Sequence, residues 1–166
     1  MKIAILGFGL EGKSLLKFFK KSPRFKKADI SVLDKKLDKN YLKNLEQFNI
    51  IFRSPGVPYN LPEIQKAIKK GVKFSSATKL FFDTIHELKD QNSKFKTIII
   101  GITGTKGKGT ASTLLYKILK ACGKNTYLAG NIGNPALELL LKISVDQRNN
   151  QRKSARLRII ELEDDT

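Results

Sequence analysis

The sequence predicts an α/β protein built on two successive parallel sheets with helices on their faces. Three observations carry this prediction. Short apolar runs alternate with amphipathic stretches from the first residues onward. A glycine-rich turn, Gly7-Phe8-Gly9-Leu10-Glu11-Gly12, directly follows the first apolar run. A second glycine-rich loop, carrying lysines, stands between another apolar run and another amphipathic stretch at residues 101–110.

The elements follow in order. Lys2–Leu6 is an apolar strand ending in glycine, and Leu10–Lys21 places Leu15, Leu16, Phe18 and Phe19 on one helical face. Asp29–Leu33 reads as a second strand, and Leu37–Phe48 as a polar helix with Leu42 and Leu45 inward. Asn49–Phe52 is a third strand, and Arg53-Ser54-Pro55-Gly56-Val57-Pro58 a turn-rich loop. A helix over Pro62–Lys70, closed by Gly71, a short strand at Val72–Phe74 and a helix over Ala77–Leu88 complete the first series. The polar run Lys89–Lys96 lacks periodicity and reads as linker. A second series opens with a strand at Thr97–Ile100, then a helix over Thr110–Ala121, a strand at Asn125–Leu128 and a helix from Pro135 to Lys142. Leu157–Leu162 reads as one more strand. The expected organisation is a first domain at 1–90, a linker at 91–96 and an unfinished second domain at 97–166.

Composition narrows the function classes. Hydrophobic residues at 40% and charged residues at 28% in 166 residues suit a globular chain rather than a disordered or fibrous one. No run of about 18 apolar residues exists, so no membrane-spanning helix is expected. The apolar start is too short for a signal segment, which points to a cytoplasmic protein. Cys122 is the only cysteine and His86 the only histidine, so a disulfide, a cysteine-rich zinc site and a histidine pair are excluded. Cys122 is expected to be a buried small apolar residue, and His86 a surface or packed helix residue. The net charge of +17 comes from lysines dispersed along nearly every segment, which reads as a solvated coat and a phosphate-bearing substrate more readily than as a nucleic-acid surface.

Two motifs carry chemistry. In Gly7-x-Gly9-x-x-Gly12 the glycines allow a tight turn, ligand approach to the backbone and close helix–strand packing, while the helix N-terminus offers N–H groups to a diphosphate. This is a Rossmann-like opening, and Asp34 at the end of the second strand can accept hydrogen bonds from a ribose or a base. The second motif is Gly101-Ile102-Thr103-Gly104-Thr105-Lys106-Gly107-Lys108-Gly109-Thr110. Successive N–H groups in such a P-loop wrap phosphate oxygens, Lys108 reaches the terminal phosphates, and a hydroxyl after it holds Mg²⁺. The spacing departs from the usual form, since Gly109 stands where the hydroxyl is expected and Thr110 follows one place later.

At these residues the chain resembles the Mur ligase family, whose loop has the form G-x-[TS]-G-T-x-G-K-x-[TS]. The resemblance also covers Gly7–Gly12, Leu33-Asp34, Ser54-Pro55-Gly56-Val57-Pro58 and Ala129-Gly130-Asn131-Ile132-Gly133-Asn134-Pro135-Ala136-Leu137. It is strongest for the branch that joins D-glutamate to UDP-N-acetylmuramoyl-L-alanine. The loop also resembles that of folylpolyglutamate synthase, a relative lacking the first domain. The resemblance implies that Gly9, Leu10, Glu11, Asp34, Ser54, Pro55, Gly56 and Asn131 bind the UDP-substrate. It implies that Gly104, Thr105, Lys106, Gly107, Lys108, Gly109 and Thr110 bind ATP, with Lys108 catalytic and Thr110 and Glu161 as Mg²⁺ ligands. Glu161-Leu162 matches only the first two residues of the family's Glu-Leu-Ser-Ser-Phe-Gln-like segment. The implied partners are small molecules (UDP-muramoyl-alanine, D-glutamate and ATP), with ATP and Mg²⁺ as cofactors and no membrane or nucleic acid.

The family's catalytic histidine, modified lysine and C-terminal domain find no counterpart in 166 residues, so the sequence reads as an incomplete ligase. Four of the six arginines (Arg148, Arg152, Arg156 and Arg158) lie in the last nineteen residues, which suggests a changed reading frame after Ile143. Two other readings stay open: a non-catalytic nucleotide-binding module, and a nicotinamide-dependent oxidoreductase using Gly7–Gly12 and Asp34. Oligomeric state leaves no readable pattern.

Overall fold

The computed structural model describes residues 1–91, 97–130, 135–141 and 157–162, the last of these as backbone. The chain divides into two compact units, Met1–Leu80 and Phe81–Thr166. The division falls inside the helix α3 (Ala77–Gln91), three residues longer than expected.

The first unit is a four-stranded parallel sheet of β1 (Lys2–Leu6), β2 (Asp29–Leu33), β3 (Ile50–Arg53) and β4 (Lys73–Ser75), in the order β2-β1-β3-β4. Ile3, Ala4, Ile5 and Leu6 are all fully buried, as a central parallel strand covered on both faces requires. α1 (Leu10–Lys21) buries Leu15, Phe18 and Phe19. The Phe19 ring lies 4.6 Å from Phe25 and 5.1 Å from Phe52, which pairs in register with Ile5. Ala4, Leu6 and Ile51 form a second core with Leu45, Phe48, Val57 and Val72 and with Ile64 and Ala67 of α2 (Pro62–Lys69).

One expected helix is absent. Residues 37–48 form successive turns, ending in a single 3-10 turn at Leu45–Gln47. The cause is local: the Asp38 carboxylate accepts from the Asn40 N–H at 2.8 Å, and Asn44 takes a left-handed conformation at φ 58°. Asp and Asn stabilise such turns in competition with the helix ladder. Leu45 and Phe48 still reach the core, so the apolar spacing was meaningful while its helical period was not.

The second unit has a parallel sheet of β5 (Thr97–Ile102), β6 (Thr126–Ala129) and β7 (Leu157–Leu162), in the order β5-β7-β6. β7 is therefore the middle strand among those described. α4 (Lys108–Ala121) follows the glycine-rich loop directly, and residues 136–141 are helical. Cys122, expected to be buried, is exposed where α4 ends at Gly123, whose φ is +68°. Exposed His86 lies 3.2 Å from the Asp90 carboxylate one helical turn on. No helix among the described residues is long and apolar enough to cross a membrane.

Candidate functional site

In the first unit, the carboxyl ends of β2, β1 and β3 bring three loops together. Ligands of open α/β sheets bind at such ends, where strand order reverses around the first strand. The Gly7 N–H donates to the Leu33 carbonyl and the Ser54 N–H to the Leu6 carbonyl, both at 2.8 Å. The Ser54 hydroxyl then donates to the Gly7 carbonyl at 3.0 Å. Gly7 has φ +93°, and a side chain there would press on Ser54 and Val57 at 3.0–3.2 Å. A Cβ on Gly12 would stand 2.2 Å from the Gly7 carbonyl oxygen. Gly9, in contrast, has open space around it. Gly7 and Gly12 thus serve the turn and its packing, and Gly9 leaves the approach to α1 clear. Gly9, the N-cap of α1, supplies no side-chain cap, and Leu10 beside it is exposed.

Asp34 does more than the sequence reading assigns to it. One carboxylate oxygen accepts the Phe8 N–H at 2.6 Å, and the other the Lys36 N–H at 2.8 Å. It ties the glycine turn to the end of β2. The Lys36 N–H foremost, and then the Phe8 N–H, hold its carboxyl below the usual range. Protonation is therefore harder in the folded than in the unfolded chain. The stability that this gives is complete above the ordinary aspartate pKa of about 4, and it is lost as pH falls from there through the lowered folded value. Asp34→Asn should accordingly flatten the acid limb of a plot of thermal midpoint against pH. Parallel acid limbs in the two proteins would refute this role.

The sequence pattern did not single out Arg53, the last residue of β3. Its guanidinium Nη1 donates to the Val57 carbonyl, lies 3.4 Å from the carbonyls of Ser54 and Pro55, and stands over the Tyr59 ring at 5.5 Å. Its only sequence signal is a cation beside a turn poor in N–H groups.

In the second unit, the loop after β5 turns through Gly104 at φ +148° and Gly107 at φ +77° into α4. Gly107 is the N-cap without a side-chain partner, and the first helical bond runs from the Ala111 N–H to the Gly107 carbonyl at 2.9 Å. The helix ladder thus begins at Ala111, and the first turn of α4 presents its backbone to the loop. No described backbone group accepts from Thr105, Lys106 or Gly107. The Lys108 ammonium folds back onto the Gly104 carbonyl, and the first turn of α4 contains no acidic residue. Buried Ser112 braces the turn by donating to the Gly109 carbonyl at 3.1 Å. The result is a glycine-bent loop that runs into a helix N-terminus with a lysine folded over it, suited to a polyphosphate.

Of the remaining expected site residues, Thr110 is exposed on α4, and Glu161 lies on β7 in register with Gly101 and Ala129. Asn131 falls outside the described residues. Among the described residues there is no cluster of three or more His, Cys, Asp or Glu side chains.

Comparison with known proteins decides the relationship. The chain is 30% identical to the UDP-N-acetylmuramoylalanine--D-glutamate ligase of Acetivibrio thermocellus over a 189-residue alignment covering 96% of the chain and 38% of that enzyme. It is 32% identical to the ligase of the same name from Thermotoga maritima, over 84% of the chain and 34% of the enzyme. The chain is related to the Mur ligases. A Mur ligase of the same name from Symbiobacterium thermophilum is 39% identical over 59% of the chain and 19% of its own length. The chain thus spans 19–38% of these Mur ligases. No family model matches it. A solved structure, the UDP-N-acetylmuramate:L-alanyl-gamma-D-glutamyl-meso-diaminopimelate ligase from Neisseria meningitides, aligns at 14% identity and TM-score 0.43, covering 96% of the chain and 52% of that protein.

Proposed function

We propose that the chain is the UDP-substrate- and ATP-binding portion of a Mur ligase that joins D-glutamate to UDP-N-acetylmuramoyl-L-alanine. In this reading residues 1–90 hold the UDP-substrate, 91–96 link, and 97–166 belong to the ATP-binding domain. The observation that carries it is the glycine-bent loop at 104–110, which opens α4 with Lys108 folded back onto it, in a chain whose relatives are ligases.

On this reading Gly9, Leu10 and Glu11 meet the UDP at the open N-terminus of α1. Asp34 fixes that turn, and Ser54-Pro55-Gly56 adds a backbone contact. The amides of Gly104–Thr110 cradle the ATP phosphates. Lys108 neutralises charge on the γ-phosphoryl group as it passes to a substrate carboxylate oxygen, breaking its bond to ADP. The carboxylate, a poor electrophile, becomes an acyl phosphate that the amine of D-glutamate attacks, releasing phosphate. Thr110, exposed at the third residue of α4, and Glu161, on the strand beside β5, supply the kind of oxygen donors that Mg²⁺ takes. The ion would add positive charge along the phosphates.

Thermal unfolding tests the proposal. UDP-muramoyl-alanine and Mg-ATP should each raise the midpoint, and a folded sample that responds to neither would refute it. NADH titration separates the oxidoreductase reading, and an amide-forming assay with D-glutamate separates a ligase from a binding module.

A further inference from the structure

We infer that Arg53 is a positioning residue that turns the amide of Gly56 toward the phosphate-bearing ligand of the first unit. The inference follows from accounting for every N–H in the segment 54–58. Pro55 and Pro58 have none. The Ser54 N–H is bound to the Leu6 carbonyl at 2.8 Å, and the Val57 N–H to the Ser54 carbonyl at 3.1 Å. Only the Gly56 N–H remains, and Gly56 is exposed with nothing within 4 Å of a Cβ built on it.

Arg53 determines where that amide is directed. In a trans peptide the C=O and N–H point in opposite directions. The Pro55 carbonyl faces the guanidinium, so the Gly56 N–H of the same peptide faces away from it. The other two carbonyls gathered there, those of Ser54 and Val57, both precede prolines, so turning them inward orients no further N–H. Tyr59 supports the guanidinium from its ring face, and Ser54 anchors the loop to Gly7. One planar cation thus draws in three carbonyls and leaves a single outward donor beside the glycine turn. All three contacts come from one nitrogen, Nη1, so a lysine ammonium on its flexible stem reproduces them in part but without the planar group that lies over the Tyr59 ring.

The ligand in this inference rests on the proposed UDP reading, and UDP itself is the probe. With the ¹⁵N-labelled full chain, wild type should bind UDP with a shift of the Gly56 amide resonance. Arg53→Met keeps the aliphatic stem but removes the donors. It should weaken UDP binding about ten-fold, abolish the Gly56 response and leave ATP binding unchanged. Arg53→Lys should recover part of both the affinity and the response. A wild-type chain indifferent to UDP would overturn the UDP reading and this inference with it. A wild type that binds, with Arg53→Met binding equally well or keeping its Gly56 shift, would overturn this inference alone. Absence of any rescue by lysine would reduce Arg53 to packing and would also overturn it. Should Arg53→Met fail to fold, Arg53→Lys decides: partial loss supports the inference, and wild-type affinity refutes it.

Discussion

Lys108→Ala should weaken Mg-ATP binding by roughly 10- to 100-fold, the effect of losing hydrogen bonds to a charged group worth about 1.5–3 kcal/mol. The Lys108 ammonium is held over the loop by the Gly104 carbonyl, beside amides with no described backbone acceptor and a helix start without acid. Removing it should leave the loop bent, because Gly104 and Gly107 provide the left-handed conformations and Ser112 braces the first turn. The variant should therefore retain its response to UDP, whose proposed site lies on the first unit. Calorimetric titration with each nucleotide reads both effects. Equal ATP affinity in the two proteins would remove Lys108 from the site.

Gly12→Ala should have the largest effect on stability. Its Cβ would stand 2.2 Å from the Gly7 carbonyl oxygen, a backbone atom that cannot swing aside. Relief would require α1 to move off β1, although Leu15, Phe18 and Phe19 of that helix are buried. Overpacking of a rigid site typically costs about 1–3 kcal/mol, and contact with backbone places this case at or above the upper end. For a unit of this size that corresponds to a fall of roughly 10–20 °C in thermal midpoint. Gly9→Ala supplies the control, since space around Gly9 is open, and it should move the midpoint little. A midpoint within two or so degrees for both variants would contradict the packing described for Gly12.

The parts of the fold that could be read from the sequence are those where one residue type answers one geometric need. Apolar runs gave the strands to within two residues, because a strand buried on both faces tolerates little else. The glycines marked both turns, since Gly7 and Gly107 require positive φ and Gly12 tolerates no Cβ. Residues 37–48 misled because apolar positions three to four apart can also face a core from successive turns, and the weak signals of Asp38, Asn40 and Asn44 outweighed them. The middle position of β7 could not be read, since pairing order in a parallel sheet depends on crossovers rather than on the strand's own residues. Within the candidate sites, Asp34 was legible as a functional acid but not as a latch for the glycine turn, which depends on the Phe8 amide 26 residues away. Arg53 was hidden for a related reason: its role arises from where three carbonyls point, and no residue spacing encodes that.

The central claim is that the amides of the 104–110 loop form a seat for the phosphates of ATP. Backbone amide resonances of Thr105, Lys106, Gly107 and Lys108, followed during titration of the ¹⁵N-labelled chain with Mg-ATP, test it most directly. These four signals should shift together and saturably, with adenosine alone leaving them in place. If they stay fixed while ATP binds elsewhere, or if adenosine moves them as far as ATP does, the loop is not a phosphate seat.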